Sequence, residues 1–294
     1  MTKLSVSESV TIVDPSKPEY QSAQEALRTY LKEIHSARRN EHAELDRLVD
    51  RANAPIAKIV SADSDASSAL QELKSRKIIE PANLLTGSRA PVRDHDLPGV
   101  FVIQPPYDPR GGFTGVSQGT YPAFANLNRP VDGYVGIDAR SGHIASGADG
   151  DVNAYSGFGM TFIPRASGTL VAGFQIDGAH YSYIVGSYGI GGNATAQGTL
   201  EIGILNVMPP PIPPIPVIFA STQSWRKRVS GNETAQDSQS NLRLSAVTNT
   251  FNVTVGQIYV MWASLYCFTD RSPGVGIAGA QSLGEGFVSS LWVV

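Results

Sequence analysis

From Tyr20 onward, apolar residues recur every three or four positions, at Tyr20, Ala23, Leu27, Tyr30, Leu31 and Ile34, and the period resumes at Leu45, Leu48, Val49 and Ala52. Such a stripe is one face of an α-helix. Pro18 suits the first turn and Pro55 marks the expected stop. In "ARRNEHAE" the stripe is broken by Arg38 and Glu41, so a coiled coil would hold for only about two heptads on either side. The expectation is a bent helix or helical hairpin whose stripe packs on the rest of the chain or on copies of itself. A second, shorter helix is expected through "SDASSALQELKSRK", capped by Ser64 or Asp65, and followed by the proline-punctuated connector "IIEPANLLTGSRAPVRDHDLPG".

Beyond Gly99 the pattern changes to short runs rich in β-branched and aromatic residues, among them "GMTFIP", "HYSYIVGSY", "GTLEIGIL" and "GQIYVMWASLYCF", spaced by Gly, Pro, Asn, Asp and Ser. No helix-length segment separates these runs, which argues against a βαβ fold. The fold class expected is α+β: a helical region with its connector over residues 1–98, then an antiparallel β-sandwich of jelly-roll type over 99–294.

Six prolines fall between Pro209 and Pro216 in "MPPPIPPIP", residues 208–216. A proline-rich segment makes no internal hydrogen bonds and extends roughly 3 Å per residue, so this one is read as a strap of about 25 Å between sheets or edges. Its PxxP spacings also fit a ligand for a proline-recognising domain, but such ligands sit in disordered tails and this one is flanked by strands.

Composition sharpens the division. Of 49 charged residues 29 precede position 100, whereas 22 of 24 aromatics and 27 of 29 glycines lie beyond 99. The net charge of -3 and pI near 6.0 argue against nucleic acid as a partner. No stretch has the roughly 18 to 20 apolar residues needed to span a bilayer, and the N-terminus lacks the apolar core of a signal peptide, so synthesis in the cytoplasm is expected, with later export or release in a particle left open. The single cysteine, Cys267, excludes an internal disulfide and a multi-cysteine zinc site.

Several catalytic signatures match by letter only. "GVSQG" places Ser117 as in a nucleophile elbow, but without the required strand-turn-helix flanks. "GVGIAG" and "GIGGNA" resemble dinucleotide-binding glycine patterns, yet one ends too near the C-terminus and the other precedes a strand, so both are read as hairpin loops. "ADGDVNAYSG" presents Asp149, Asp151 and Asn153 at the alternate spacing of a calcium loop, but Ala154 and Met160 occupy the turn-glycine and bidentate-glutamate positions. A polar turn is the reading preferred there, with calcium as the cofactor to test and no other cofactor expected.

Binding surfaces have more support than catalysis. Tyr181 and Tyr183 share one strand face; exposed, they would form a platform for sugars, and inward-facing they would fill the core. "WRKR", Trp225 to Arg228, is a basic cluster suited to an anion. Only one lysine, Lys227, follows residue 99, and a charge-poor sandwich beside a charged helical segment points to surface buried in an assembly. The expectation is therefore a non-enzymatic structural or attachment protein that forms a homo-oligomer, the sandwich serving as shell or as a head facing a glycan or cell-surface receptor. The alternatives are a membrane-active toxin with amphipathic helices and a carbohydrate-binding module.

Overall fold

The runs rich in β-branched and aromatic residues form strands and the 3.6-period stretches form helices in the computed structural model, which describes residues 10–75, 101–108, 111–117, 127–142, 152–208, 212–272 and 274–294. In chain order the elements are β1 (Val10–Ile12), α1 (Pro18–Ala62), α2 (Ser64–Ser75), β2 (Phe101–Ile103), β3 (Gly112–Ser117), β4 (Leu127–Arg129), β5 (Tyr134–Gly142), β6 (Val152–Pro164), β7 (Gly168–Leu170), β8 (Ala172–Ile190), β9 (Asn193–Val207), β10 (Ile215–Ser230), β11 (Glu233–Val247), β12 (Phe251–Val253), β13 (Ile258–Ser272) and β14 (Val275–Val293). One sheet runs β6-β13-β9-β10, with β1 and β3 both paired to the outer side of β6; the other runs β5-β14-β8-β11, with β4 on β5 and β2 on β14. All these pairings are antiparallel. β5 faces β6, β14 faces β13, β8 faces β9 and β11 faces β10. Successive strands thus alternate between layers around the β9–β10 pair, which is the arrangement of a jelly roll.

The chain changes sheets within a few residues at three corners: β8 to β9, β10 to β11, and β13 to β14. Each contains a glycine at positive φ, Gly191 at 74°, Gly231 at 70° and Gly274 at 56°, where a side chain is strained. Two corners are tied together: Gly231 N donates to Gly192 O at 3.1 Å, and Gly189 N donates to Asn232 Oδ1 at 2.8 Å. The glycine patterns read as hairpin loops are therefore sheet-switching corners, and most of "GVGIAG" lies inside β14.

The proline strap is also corrected. β9 and β10 are hydrogen-bonded neighbours, with Asn206 opposite Ile215 and Leu205 opposite Pro216, so the proline run joins adjacent strands instead of crossing the sandwich. β10 is the outermost strand of its sheet; Pro216 lies near its start and Arg226, Lys227 and Arg228 near its end. The corresponding edge of the other sheet, β11, is broken by register shifts around Leu242, beside Asn241 at φ 57°.

Each tryptophan lies opposite a glycine on the neighbouring strand: Trp225 opposite Gly198, Trp262 opposite Gly203 and Trp292 opposite Gly173. A Cβ at those glycines would fall 1.9, 2.0 and 2.1 Å from the ring. The missing side chain makes room for the indole to lie across the strand, so these glycines strengthen packing where an isolated glycine weakens a strand.

Pro18 opens α1, as expected, but the helix passes through Pro55 and ends at Ala62. Losing one backbone donor at Pro55 does not stop a helix with turns on both sides. The cap of α2 is Asp63, whose Oδ1 accepts from Asp65 N at 2.9 Å and Ala66 N at 3.0 Å, one residue earlier than the sequence indicates. The connector from Ile78, the 98/99 boundary and the prolines Pro209, Pro210 and Pro211 lie outside the described residues.

Candidate functional site under helix α1

The centre of the sheet containing β6, β13, β9 and β10 buries apolar residues on both faces. Leu200, Ile202 and Ile204 of β9 face the inter-sheet core, while Glu201, Gly203 and Leu205 alternate toward α1. β13 does the same, directing Met261, Ala263 and Leu265 inward and Val260, Trp262 and Tyr266 outward. This double burial explains its nearly continuous apolar sequence. The first half of α1 covers the outer face with Ala23, Leu27 and Leu31, and Tyr30 meets Trp262 edge-on at 5.5 Å. Burying each leucine side chain is worth roughly 2 kcal/mol.

Where this apolar contact ends, the two residues following Ile34 on the stripe bring polar groups to the sheet. His35 is 2% exposed and stacks on Tyr155 at 4.1 Å and on Tyr266 at 5.2 Å. Arg38 Nη1 donates to Glu201 Oε1 at 2.6 Å, and its guanidinium lies over Tyr266 and Phe219, 5.2 and 5.4 Å from the ring centres. Glu201 is 1% exposed. Its Oε2 and both imidazole nitrogens of His35 have no hydrogen-bond partner among the described residues; Oε2 and His35 Nε2 are 4.0 Å apart, too far for one. Burial, reinforced by the Arg38 charge, pushes the His35 pKa down to about 3. Burial raises the carboxyl of Glu201, opposed by Arg38, and burial also raises the Tyr266 phenol. The result is a neutral imidazole wedged between two rings beside a buried ion pair.

The expected site residues are not gathered here. Asn153 is buried in β6, where Tyr266 donates a hydrogen bond to its Oδ1, and Asp149 and Asp151 lie outside the described residues. Among the described residues no three His, Cys, Asp or Glu side chains form a metal-holding group. Tyr181 and Trp225 do come together, stacked at 4.8 Å and 8° between the sheets, but they are only 8% and 5% exposed, and Tyr183 packs beside them. Tyr181 donates to Asp237 and Trp225 Nε1 to Ser282. The exposed aromatic platform is therefore corrected to a core stack: the face turned inward because β10 folds over it. Arg226 and Arg228 remain exposed on β10, and Lys227 approaches Glu233 at 4.0 Å. Ser117 is the last residue of strand β3, opposite Asn153, and the segment that follows it lies outside the described residues.

Two other features bear on chemistry. A cleft of about 590 Å³ opens between the β1–α1 junction and the sandwich, lined by Ile12, Pro15, Tyr20, Tyr107, Met160 and Leu291 among others. Cys267 is fully buried, and burial pushes its thiol up to about 12, far from a nucleophile's range. A thiol-labelling reagent is accordingly expected to leave the native protein unmodified at pH 8 and to label one cysteine in denaturant; rapid labelling without denaturant would show that the core opens there.

No family model matches the chain, and no curated protein matches it. Among solved structures, a CBM29-2 variant of a family 29 carbohydrate-binding module is 8% identical, covering 55% of this chain and 87% of its own, with a TM-score of 0.16. The module CBM6cm-2 from Cellvibrio mixtus lichenase 5A is 10% identical over 51% of this chain and 86% of its own, TM-score 0.14. A structure of infectious bursal disease virus Gt strain is 13% identical over 73% of this chain and 44% of its own, TM-score 0.13. At these TM-scores the likenesses carry no argument, and the functional reading rests on this chain's own surfaces.

Proposed function

We propose that this chain is a non-enzymatic structural or attachment protein that self-assembles, the jelly roll forming a shell element or receptor-facing head and the end of α1 with α2 forming the joint between copies. The observation that carries the reading is the exposure of Leu45 and Leu48, 54% each, and Ile59, 71%, on a helix whose partner α2 has no buried residue. Beyond His42 the helix runs on to the β8–β9 corner, where Asn53 meets Gly191, and Leu45, Val49, Ala52, Ile56 and Ile59 keep the alternating four-and-three spacing of a helix seam, with Val49 and Ile56 half-buried and Leu45, Ala52 and Ile59 exposed. A helix that leaves leucine and isoleucine side chains in water gains by burying them against a second copy. Jelly rolls serve both shells and binding domains, so the fold is compatible with the reading without choosing between them.

Light scattering across a concentration series tests it. The full chain is expected to give a defined oligomer, and the double variant Leu45→Glu with Ile59→Glu, on exposed positions that leave the sandwich intact, is expected to fall to the monomer mass. A wild-type chain that stays monomeric at the highest concentration would exclude the proposal.

A further inference from the structure

We propose that His35 is an acid-sensitive latch: its imidazole holds the first half of α1 on the sheet only while uncharged, and proton uptake on leaving the sheet favours release of the helix. The geometry carries the argument. The ring is held by stacking between Tyr155 of β6 and Tyr266 of β13, with neither nitrogen hydrogen-bonded among the described residues, so the docked site offers a new proton no acceptor in contact. The charges facing it are Arg38 from α1 itself, which repels an imidazolium, and Glu201 from β9, whose nearer oxygen is 4.0 Å away and whose other oxygen is engaged by Arg38. Tyr155 and Tyr266 stay neutral through the acid range because burial raises both phenols.

The sign follows from linkage. Off the sheet His35 titrates near its ordinary 6.5, whereas docked it titrates near 3. The neutral ring's stabilisation is complete above 6.5 and is lost as pH falls from 6.5 toward 3; at pH 4.5 the opening constant rises on the order of 100-fold over its value at neutral pH. Glu201 acts oppositely: its docked carboxyl is raised, so acid favours its protonated docked form and blunts the response below its own range. The latch is distinct from the joint proposed above, since it acts on residues 20–38 of a single chain.

Amide hydrogen exchange of residues 27–35 between pH 7.5 and 4.5 tests it, with His35→Phe measured at each pH so that intrinsic exchange rates cancel. Phenylalanine fills the slot between the two tyrosines and cannot titrate. The wild-type opening constant is expected to rise on the order of 100-fold relative to His35→Phe across that range. Glu201→Gln, which keeps an acceptor for Arg38, is expected to retain at least the wild-type slope. If His35→Phe does not fold, His35→Gln and a direct NMR titration of the His35 ring replace it. Parallel pH profiles for wild type and variant, or a folded-state His35 that titrates near 6.5, would overturn the latch.

Discussion

Replacing Gly203 with alanine is expected to lower the unfolding free energy by about 3 kcal/mol, at the upper end of the usual overpacking range. The new Cβ would lie 2.0 Å from Cη2 and 2.2 Å from Cζ2 of Trp262. That ring has no room to retreat: it is wholly buried, with Tyr30 of α1 packed on its edge and Phe219 stacked beside it at 6.2 Å. Either the indole leaves its slot or α1 lifts from the sheet, and both surrender apolar contact. Gly168→Ala provides the comparison, since nothing lies within 4 Å of its Cβ and its φ is ordinary; its effect should stay within about 0.5 kcal/mol. Urea denaturation followed by tryptophan emission distinguishes them, and equal midpoint shifts for the two alanines would refute the account of the tryptophan–glycine pairs.

Arg38→Ala is expected to cost a similar amount, about 3 kcal/mol at pH 7, because it leaves the Glu201 carboxylate buried and uncompensated. The deficit has a signed pH dependence. Losing Arg38 raises the folded carboxyl further than burial already does, so the penalty is present above its folded pKa and is relieved as pH falls through it. Relative to wild type, the variant should therefore recover stability on acidification, opposite in direction to the His35 effect. Arg38→Met combined with Glu201→Leu should regain most of the loss at pH 7, since apolar replacement of a whole buried pair is near neutral. Chemical denaturation at pH 7 and pH 5 checks both points; a deficit that persists unchanged at pH 5, or a double variant no better than the single, would show that the pair is not the cause.

The helix face from Tyr20 to Ile34 was legible because its period matches its burial, and the succession of strands because runs of β-branched and aromatic residues are spaced by turn residues. The extent of the strands was not. Gly198, Gly203 and Gly284 look like breaks along the chain, but each accepts a neighbouring ring: Trp225 lies against Gly198 and Gly284, and Trp262 against Gly203. Which ring meets which glycine depends on register, which a single strand does not encode. β1, three residues long, has no period to read, and it exists because β6 offers it an edge. Tyr181 and Tyr183 declared a shared face but not its direction. The polar cluster left a partial trace: Arg38 interrupts an apolar stripe, and Glu201 is the lone charge in "GTLEIGIL". An arginine in one apolar stripe and a glutamate in another are complementary, although nothing in the sequence says that those surfaces meet or chooses Arg38 over the neighbouring interruption at Glu41.

The proline run near β10 has a consequence beyond joining two strands. A cross-β fibre grows when an outermost strand offers a continuous row of amide donors and tolerates its own sequence beside it. β10 lacks a donor at Pro216, and Arg226, Lys227 and Arg228 repel a second copy of themselves. The bulged β11 presents no straight row either. Both long margins on that side of the sandwich are therefore poor templates for polymerisation, and copies that meet are left to recognise one another through side chains.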